Sequence, residues 1–418
     1  MIKPLNNSIQ SFFVLMLASL LTYISMYAFR KPITAATYSN ELVFGFHYKS
    51  FLIILQVLGY LCSKWVGISF ISSMEKKSRL ALLIGLMFVS YLALFLFAIT
   101  PCPYNLIWIF FNGFPLGFIW GIVFSYLEGR RNTDILACFL SISFVIGSGL
   151  VKTIGLWLIQ KFGVSEFWMP FGVASLFFPL LIVSAYVLDQ MPNPSKKDKL
   201  YRSERPKMNG EDRLYVWEQF KWGLVPILFV SMILTLNRDI KDNFLVEIFN
   251  SFDISDDLTI FMRIEFYVSL ILIFILSMFF FIESNPIAFK LIHVLIFVGI
   301  LFSWISVYFI EKSSFNVIYF FMLHSIGLYL AYILLQSIYF ERFLAYFKVK
   351  ANVGYLIYMA DFVGYLASCA IIVYKEFFYF SSSWIHFFIQ MNYLSLFLGL
   401  IFISLSFYFF FFNKRNYG

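Results

Sequence analysis

The residue with the clearest chemical potential is Arg30, which follows a long apolar run that begins near Ser11. Ionisable groups inside a membrane are costly, and they usually mark a ligand path or a paired charge. A guanidinium keeps its charge in a partly dry cavity, and its planar fork matches a phosphate or carboxylate through two parallel hydrogen bonds. Arg30 is therefore the leading candidate for binding an anion.

Composition indicates the kind of molecule that carries this arginine. Of the 418 residues, 61% are hydrophobic and only 13% are charged, whereas a soluble domain carries about a quarter charged residues. Apolar runs of roughly 20 residues, the length that crosses a bilayer, recur from end to end. The sequence therefore predicts an all-α polytopic membrane protein embedded in a lipid bilayer.

The apolar runs predict about twelve transmembrane helices in two groups of six. The predicted spans are 11–36, 48–72, 79–100, 104–126, 135–160, 166–188, 221–247, 258–282, 287–310, 315–338, 351–374 and 388–412. One long polar stretch, Asp189 to Glu218, separates the groups and is interpreted as a solvated linker. We therefore expect an N-terminal bundle (residues 1–189), a linker (190–218) and a C-terminal bundle (219–418).

The distribution of lysine and arginine predicts the orientation. The even-numbered connections and the C-terminal tail are basic, whereas the opposite connections are sparse in cations and include the acidic stretch Asp253–Asp257. Because excess Lys and Arg belong on the cytoplasmic side, both termini and the linker are expected there, in the inner (cytoplasmic) cell membrane. The net charge of +8 is explained by these loops and does not indicate nucleic-acid binding.

This orientation bears on two interpretations of Arg30. In the first, span 1 ends at Phe29, and Arg30 and Lys31 mark its exit from the membrane. In the second, the helix continues through Ala36 to Tyr38 and leaves Arg30 inside the membrane zone, facing a polar cavity. The second is favoured, because the first puts a cation pair on the outer face, against the charge rule. The first stays open.

Four other intramembrane charges are candidates for a binding site, and each has a structural alternative. Lys64 either belongs to the site or extends toward a membrane interface or an acidic partner. Lys152 either adds polarity to the site or simply lies in an apolar helix whose glycines favour close packing. Arg238 either meets a ligand or pairs with Asp242, four residues later. Asp361 either partners a cation or takes up a proton, with partnering favoured.

Patterns for cofactor chemistry are weak. The segment Gly147–Thr153 superficially suggests a phosphate-binding loop, but it lacks the second glycine before the lysine and follows no strand. The four cysteines are scattered and the four histidines show no metal spacing. We therefore expect no cofactor, no metal site and no enzymatic activity, and we expect a monomer.

Short motifs in the expected order resemble the major facilitator superfamily, and most closely its organophosphate:phosphate antiporter branch. They are Tyr27–Lys31 in span 1, Gly59–Gly67 in span 2, Asn112–Trp120 in span 4, Arg238 before Asp242 in span 7 and Gly364–Leu366 in span 11. The resemblance implies that Arg30 and Arg238 bind a phosphoryl group, with Lys64 as a third cation. The chain departs from the branch at Phe144, where the antiporters carry a histidine, and in the extra charges around Arg238.

The chain resembles still more closely an uncharacterised bacterial family, a domain of unknown function within that superfamily. The shared segments are Met26–Pro32, Ser125–Arg131 and Ser165–Pro170. This resemblance names no substrate. Parallel repeats related by an axis along the membrane normal would bring Arg30 and Arg238 to opposite sides of one central cavity.

Together, these features predict a secondary transporter that moves a small organic anion, with phosphorylated compounds among the candidates, by alternating access. The alternative is a non-transporting membrane receptor with the same fold that binds such a ligand and signals to a partner. A membrane-embedded enzyme would need a cluster of acid, base or nucleophile facing one leaflet, and the sequence offers no convincing one.

Overall fold

The computed structural model describes residues 8–39, 41–73, 78–130, 132–192, 208–252, 259–312, 317–349, 351–379 and 383–412. Several sequence predictions lie outside these ranges. They concern most of the basic turn Glu75–Arg79, the centre of the linker, the acidic stretch Asp253–Asp257 and the C-terminal cations Lys414 and Arg415.

The described chain contains twelve helices long and apolar enough to cross a membrane, which confirms the predicted fold class. We number them α1 to α12 in chain order. They are Ser8–Arg30, Tyr48–Ser73, Arg79–Ile99, Leu106–Leu127, Thr133–Phe162, Met169–Asp189, Gly210–Asn250, Ile260–Ser277, Asn285–Lys312, Val317–Phe347, Val353–Phe378 and Trp384–Phe411. A short hairpin, β1 (Leu42–Val43) and β2 (Phe46–His47), leads into α2.

The end of α1 differs from both interpretations of the sequence. The α-helix neither stops at Phe29 nor continues to Tyr38; it ends at Arg30, and a 3-10 turn follows at Pro32–Thr34. Proline has no N–H to donate to the preceding turn, and its ring clashes with the carbonyl four residues earlier, so Pro32 disfavours continuation of the α-helix. The predicted α-helical continuation of span 1 was therefore wrong.

The start of α7 also differs from the prediction. The helix begins at Gly210, inside the stretch interpreted as a solvated linker. Asn209 caps it: its side chain accepts from the backbone N–H of Asp212, whose carboxylate accepts from the backbone N–H of Asn209. This reciprocal pair satisfies two backbone donors that a helix start leaves without partners. The polar residues before Lys221 thus extend α7 instead of forming a loop.

Helix α10 contains an irregular segment near its centre. Leu334–Tyr339 forms a π-helix, in which each N–H reaches one residue further back than in an α-helix. Gln336 lies within this segment. Widened turns of this kind occur frequently at functional sites.

The chain divides into two compact units. The first contains α1 to α6 and the first turns of α8, up to Phe266; the second contains α7, the rest of α8 and α9 to α12. In the first unit, α2 packs mainly on α4 and α1 packs on α5 and α6. In the second, α7 packs on α11 and α12, while α9 packs on α10.

Glycine permits the close contact of α2 with α4. A Cβ atom added at Gly113 would clash with the backbone carbonyl oxygen of Gln56, and one added at Gly59 would lie 2.6 Å from the carbonyl oxygen of Phe110. Small residues let helix backbones approach closely in membranes, where van der Waals packing holds helices together. This contact fixes the position of α2, which carries Gln56 and Lys64.

We expect Gly113→Ala to destabilise the protein by roughly 1–3 kcal/mol, because the backbones of α2 and α4 must separate to accommodate the methyl group. The measurement is thermal unfolding of the purified protein in detergent, followed by tryptophan fluorescence.

Gly85→Ala is the matched control. A Cβ atom at Gly85, in the second turn of α3, meets no atom within 4 Å. Alanine is favoured over glycine in a helix by about 1 kcal/mol, so this variant should melt at the same temperature or higher. Equal losses in the two variants would contradict the packing argument.

Candidate functional site

Arg30 lies deep in the first unit even though it is the last residue of α1. The Nε2 of Gln56 donates to its carbonyl oxygen at 3.2 Å, and its guanidinium carbon lies 4.0 Å from the ring centre of Tyr60. Gln56 is eight residues into α2, roughly 12 Å from that helix end at a rise of about 1.5 Å per residue. Arg30 therefore lies at the level of the second and third turns of α2 and not at the end of that helix.

Two side-chain amides fix the backbone at this point. A helix end leaves its last carbonyl groups without intrahelical donors. Asn112 of α4 donates through Nδ2 to the carbonyl oxygen of Phe29 at 3.1 Å and to Ser90 Oγ at 2.7 Å. Gln56 donates to Arg30 and to Asn112 Oδ1, the latter at 2.8 Å. The network joins α1, α2, α3 and α4 around the end of α1.

Aromatic rings contact the Arg30 guanidinium. The ring of Tyr60 lies close to it, and that of Tyr27 lies 6.0 Å away. Phe144, which stands where the antiporters carry a histidine, stacks on Tyr27. Stacking uses the face of a guanidinium, whereas hydrogen bonds to an anion use its edge. The aromatic contacts of Arg30 are therefore compatible with anion binding.

The two lysine candidates of this unit are also buried. Lys64 is 2% exposed, so it does not extend along the outer surface of the bundle. Lys152 is 1% exposed and lies one turn after Gly149, where a Cβ atom would come 2.8 Å from the carbonyl oxygen of Phe261. The prediction that the glycines of α5 permit close packing is confirmed at Gly149.

Buried charges in the first unit are predominantly positive. Among the described residues of this unit, six cations and two acids are less than a tenth exposed: Arg30, Lys31, Lys49, Lys64, Arg79 and Lys152, against Asp134 and Glu265. One of the cations, Lys49, donates to the backbone carbonyl of Thr34. The interior of this unit therefore has an excess of positive charge.

The loop that follows Arg30 is held by the segment Ser165–Pro170. The backbone N–H of Thr37 donates to Glu166 Oε1, and the hydroxyl of Tyr38 donates to the carbonyl oxygen of Glu166. The Tyr38 ring packs edge-on against Phe167. Burial, and then the charges of Tyr48 and Glu166, raise the pKa of Tyr38 well above its ordinary value. Tyr38 therefore stays a neutral hydrogen-bond donor.

In the second unit, Arg238 of α7 is held by side chains of α10 and α11. Its guanidinium donates to the hydroxyl groups of Tyr332 in α10 and Tyr365 in α11, and stacks on the Tyr332 ring with its carbon 4.4 Å from the ring centre. It also forms an ion pair with Asp239, with Nη2 2.7 Å from Oδ1. Ser368 donates to the other oxygen of Asp239. The sequence suggested Asp242 as a partner of Arg238, which stays a prediction; the ion pair described in the structure is with the adjacent Asp239.

Lys241 and Asp242 share a tyrosine. The Nζ of Lys241 donates to the hydroxyl of Tyr329 and lies 4.3 Å from its ring centre. That hydroxyl donates in turn to Asp242 Oδ1 at 2.7 Å. The cation and the acid are thus connected through one neutral side chain.

Asp361 is bound by an amide. Gln336, in the π-helical segment of α10, donates through Nε2 to Asp361 Oδ1 at 2.7 Å. Both side chains are buried. The sequence singled out Asp361 but not Gln336.

The buried charges of the second unit show the opposite balance. Among its described residues, three cations and five acids are less than a tenth exposed: Arg238, Lys241 and Arg342, against Asp239, Asp242, Glu341, Asp361 and Glu376. The interior of this unit therefore has an excess of negative charge.

Sequence reasoning missed Tyr329, Tyr332 and Gln336. These three residues of α10 contact the buried charges of α7 and α11 described above. They stand at positions i, i+3 and i+7, a spacing that puts them on one face of a helix. The signal was hidden because the chain contains 26 tyrosines, most of which need no functional explanation. That Arg30 and Arg238 face one cavity stays a prediction. No group of metal-ligating residues occurs in the described part of the chain.

Comparison with solved structures shows the major facilitator fold. The chain aligns with the proton:xylose symporter XylE, bound to 6-bromo-6-deoxy-D-glucose, at a TM-score of 0.62 and 12% identity over 97% of this chain and 96% of that one. It aligns with the peptide transporter POT in complex with sulfate at a TM-score of 0.64 and 14% identity over 96% of both chains. A POT complex with alafosfalin aligns at a TM-score of 0.61 and 14% identity, over 94% of this chain and 93% of that one.

The chain matches the model of a protein family. The model of DUF5690, a family of unknown function, matches residues 32–415. No curated protein matches the chain.

We expect Asp239→Asn to destabilise the second unit by on the order of 3 kcal/mol, because it leaves the buried Arg238 without its adjacent negative charge. Ser368→Ala removes one neutral donor to the same carboxylate and should cost about 1 kcal/mol. Thermal and denaturant unfolding in detergent measure both losses.

The double variant Arg238→Gln with Asp239→Asn removes both charges and should recover part of the stability lost in Asp239→Asn alone. The single variant Arg238→Gln completes the comparison. If the double variant loses as much stability as Arg238→Gln and Asp239→Asn lose together, the two charges do not stabilise each other.

Proposed function

We propose that this chain, which belongs to the DUF5690 family of unknown function, is a secondary transporter of a small organic anion. Its twelve membrane-length helices and its major facilitator fold support transport by alternating access of two six-helix bundles. A fold alone does not define a function, so the argument for the cargo depends on side chains.

The observation that carries the proposal is the position of Arg30. Arg30 is 3% exposed, its guanidinium stacks on Tyr60, and Gln56 holds its backbone carbonyl level with the interior turns of α2. A charge that serves only to end a helix belongs at its membrane surface, where water solvates it. A charge retained this deep is costly, and binding an anion is a function that explains its retention.

The sign of the charge on the cargo is inferred from the buried charges of the first unit as a whole. Six buried cations against two buried acids leave a positive potential in a medium of low dielectric constant. Such a potential attracts anions and repels cations. Among anions, phosphorylated and carboxylated compounds fit the guanidinium fork best, and the resemblance to the organophosphate:phosphate antiporters favours the phosphorylated ones.

Arg238 has a different role in this proposal. Asp239 occupies its edge in the state described here, so an incoming anion would have to displace that carboxylate. Arg238 thus pairs with Asp239 while the cargo is absent and with the cargo once the cargo has displaced Asp239. Its contact with the cargo belongs to one conformation of the protein. The two arginines thus contribute at different steps of one transport cycle. From the distribution of lysine and arginine between the connections, we also propose that the protein lies in the cytoplasmic membrane with both termini in the cytoplasm.

The test is counterflow in proteoliposomes. Vesicles loaded with unlabelled inorganic phosphate or glycerol phosphate are diluted into radiolabelled inorganic phosphate, and uptake is followed with time. Wild type should accumulate label, and Arg30→Gln should lose at least about tenfold of the initial rate, because a charge-assisted bidentate contact contributes roughly 1.5–3 kcal/mol. Arg30→Lys keeps the charge but loses the fork, so it should be intermediate.

Arg263→Gln is the matched control, because Arg263 is an exposed arginine near the start of α8 and its loss should leave the rate unchanged. Arg238 is tested in the double variant Arg238→Gln with Asp239→Asn, which avoids an unpaired buried acid. An anion that binds to purified wild type without ever exchanging across vesicles would contradict transport and favour a receptor. Equal rates in Arg30→Gln and Arg263→Gln would remove Arg30 from the site.

A further inference from the structure

A cavity of about 190 Å³ lies between α9 and α12 of the second unit. Val294 and Phe297, on the α9 side, are 49% and 37% exposed, so the cavity opens as a groove on the outer surface of the two helices. Both helices are long and apolar enough to cross a membrane, and an exposed groove between them faces the bilayer. The residues that line it are His293, Val294, Phe297, Ile403, Ser404 and Phe407.

The two polar side chains of this lining have their partners inside the protein. His293 donates through Nδ1 to the carbonyl oxygen of Phe289 at 2.9 Å, and its Nε2 accepts from the hydroxyl of Tyr339 at 3.2 Å. The hydroxyl of Ser404 donates to the carbonyl oxygen of Leu400 at 2.7 Å. The surface offered to an occupant is therefore apolar. Apolar cavities of about 150 Å³ stay dry and bind small hydrocarbons, so hydrocarbon fits this groove better than a polar solute does.

A lysine lies at one end of the groove. Lys290 precedes Val294 by four residues on α9, and Phe411 follows Phe407 by four residues on α12. Residues four apart lie on one face of a helix. The Nζ atom of Lys290 lies 5.5 Å from the ring centre of Phe411, so the two helices meet here one turn beyond the cavity. The groove therefore continues from an apolar pocket to a positive charge.

The depth of Lys290 matches the boundary between acyl chains and headgroups. The 28 residues of α9 span about 42 Å at a rise of about 1.5 Å per residue, whereas the hydrocarbon core is about 30 Å thick. A centred helix therefore extends about 6 Å, or about four residues, beyond the core at each end. Lys290 is the sixth residue of α9 and is exposed, so its flexible stem reaches the headgroup layer. Among the described residues, no carboxylate forms an ion pair with it.

We propose that this groove binds one phospholipid with an anionic headgroup, whose acyl chain fills the cavity and whose phosphate contacts Lys290. Basic residues beside clefts between transmembrane helices attract anionic headgroups, and a lysine contacts phosphate as a point charge. The apolar lining excludes the headgroup from the cavity, and the lysine holds it at the mouth. The site uses none of the residues assigned to the cargo, so the inference is independent of the proposed function.

The test uses two lipids with identical acyl chains, dioleoyl phosphatidylglycerol and dioleoyl phosphatidylcholine, of which only the first has a net negative charge. Both are added in equal amounts to the purified protein in detergent, and native mass spectrometry measures how much of each stays bound. Wild type should retain about fivefold more phosphatidylglycerol, which is the effect of one basic residue near an anionic headgroup. In Lys290→Gln the two lipids should be retained equally.

Lys312→Gln is the matched control, because Lys312 is an exposed lysine at the opposite end of α9 whose Nζ lies 4.7 Å from the ring centre of Tyr308. This variant should keep the fivefold preference. A preference that survives in Lys290→Gln, or that is lost equally in Lys312→Gln, would overturn the headgroup contact.

Val294→Phe tests the cavity separately. Val294 is half exposed, so a larger side chain fills the groove without disturbing the packed interior. Most of the retained lipid of both kinds should be lost, whereas Lys290→Gln loses only the preference. Undiminished retention in Val294→Phe would show that the acyl chain lies elsewhere. The same spectra report the oligomeric state. A wild-type dimer that Val294→Phe converts to a monomer would assign the groove to a second copy of the chain and overturn the lipid site.

Discussion

The buried charges constrain how the helices pack, because a charge inside a membrane is costly unless other groups contact it. Each buried cation whose contacts are described is held by a tyrosine, an acid or a backbone carbonyl, as at Arg30, Arg238, Lys241 and Lys49. These contacts replace part of the hydration that the charge loses. They also hold the charge in one place, because Tyr60, Tyr329 and Tyr332 each belong to a different helix from the cation that they contact. The helix packing is thus constrained by the charges that it surrounds.

The two units solve this problem differently. Arg30 is held by ring faces, and its backbone level is set by the amides of Gln56 and Asn112, which satisfy carbonyl groups that the helix end exposes. Arg238 lies in a continuous helix and is held by an adjacent acid and two hydroxyl groups. The first arrangement leaves an overall positive interior, and the second is closer to neutral with an excess of acid.

Tyrosine has a particular value in these networks. Its ring stacks on a cation, and its hydroxyl both accepts and donates, so one side chain can connect a lysine to an aspartate, as Tyr329 connects Lys241 to Asp242. A phenylalanine would keep the packing but leave both charges without that hydrogen bond. Some of the tyrosines of this chain therefore hold buried charges: those on one face of α10 and those near the centres of α2 and α11.

The sequence by itself determined the twelve helices, because bilayer thickness imposes a length and hydrophobicity that local composition records directly. It also identified Arg30, Lys64, Lys152, Arg238 and Asp361 as unusual, because a charge in an apolar run is visible without any partner. Only the tertiary structure decided what contacts them. Gln56 is 26 residues from Arg30, and Tyr332 is 94 residues from Arg238. Such pairings depend on helix packing, which local periodicity does not encode.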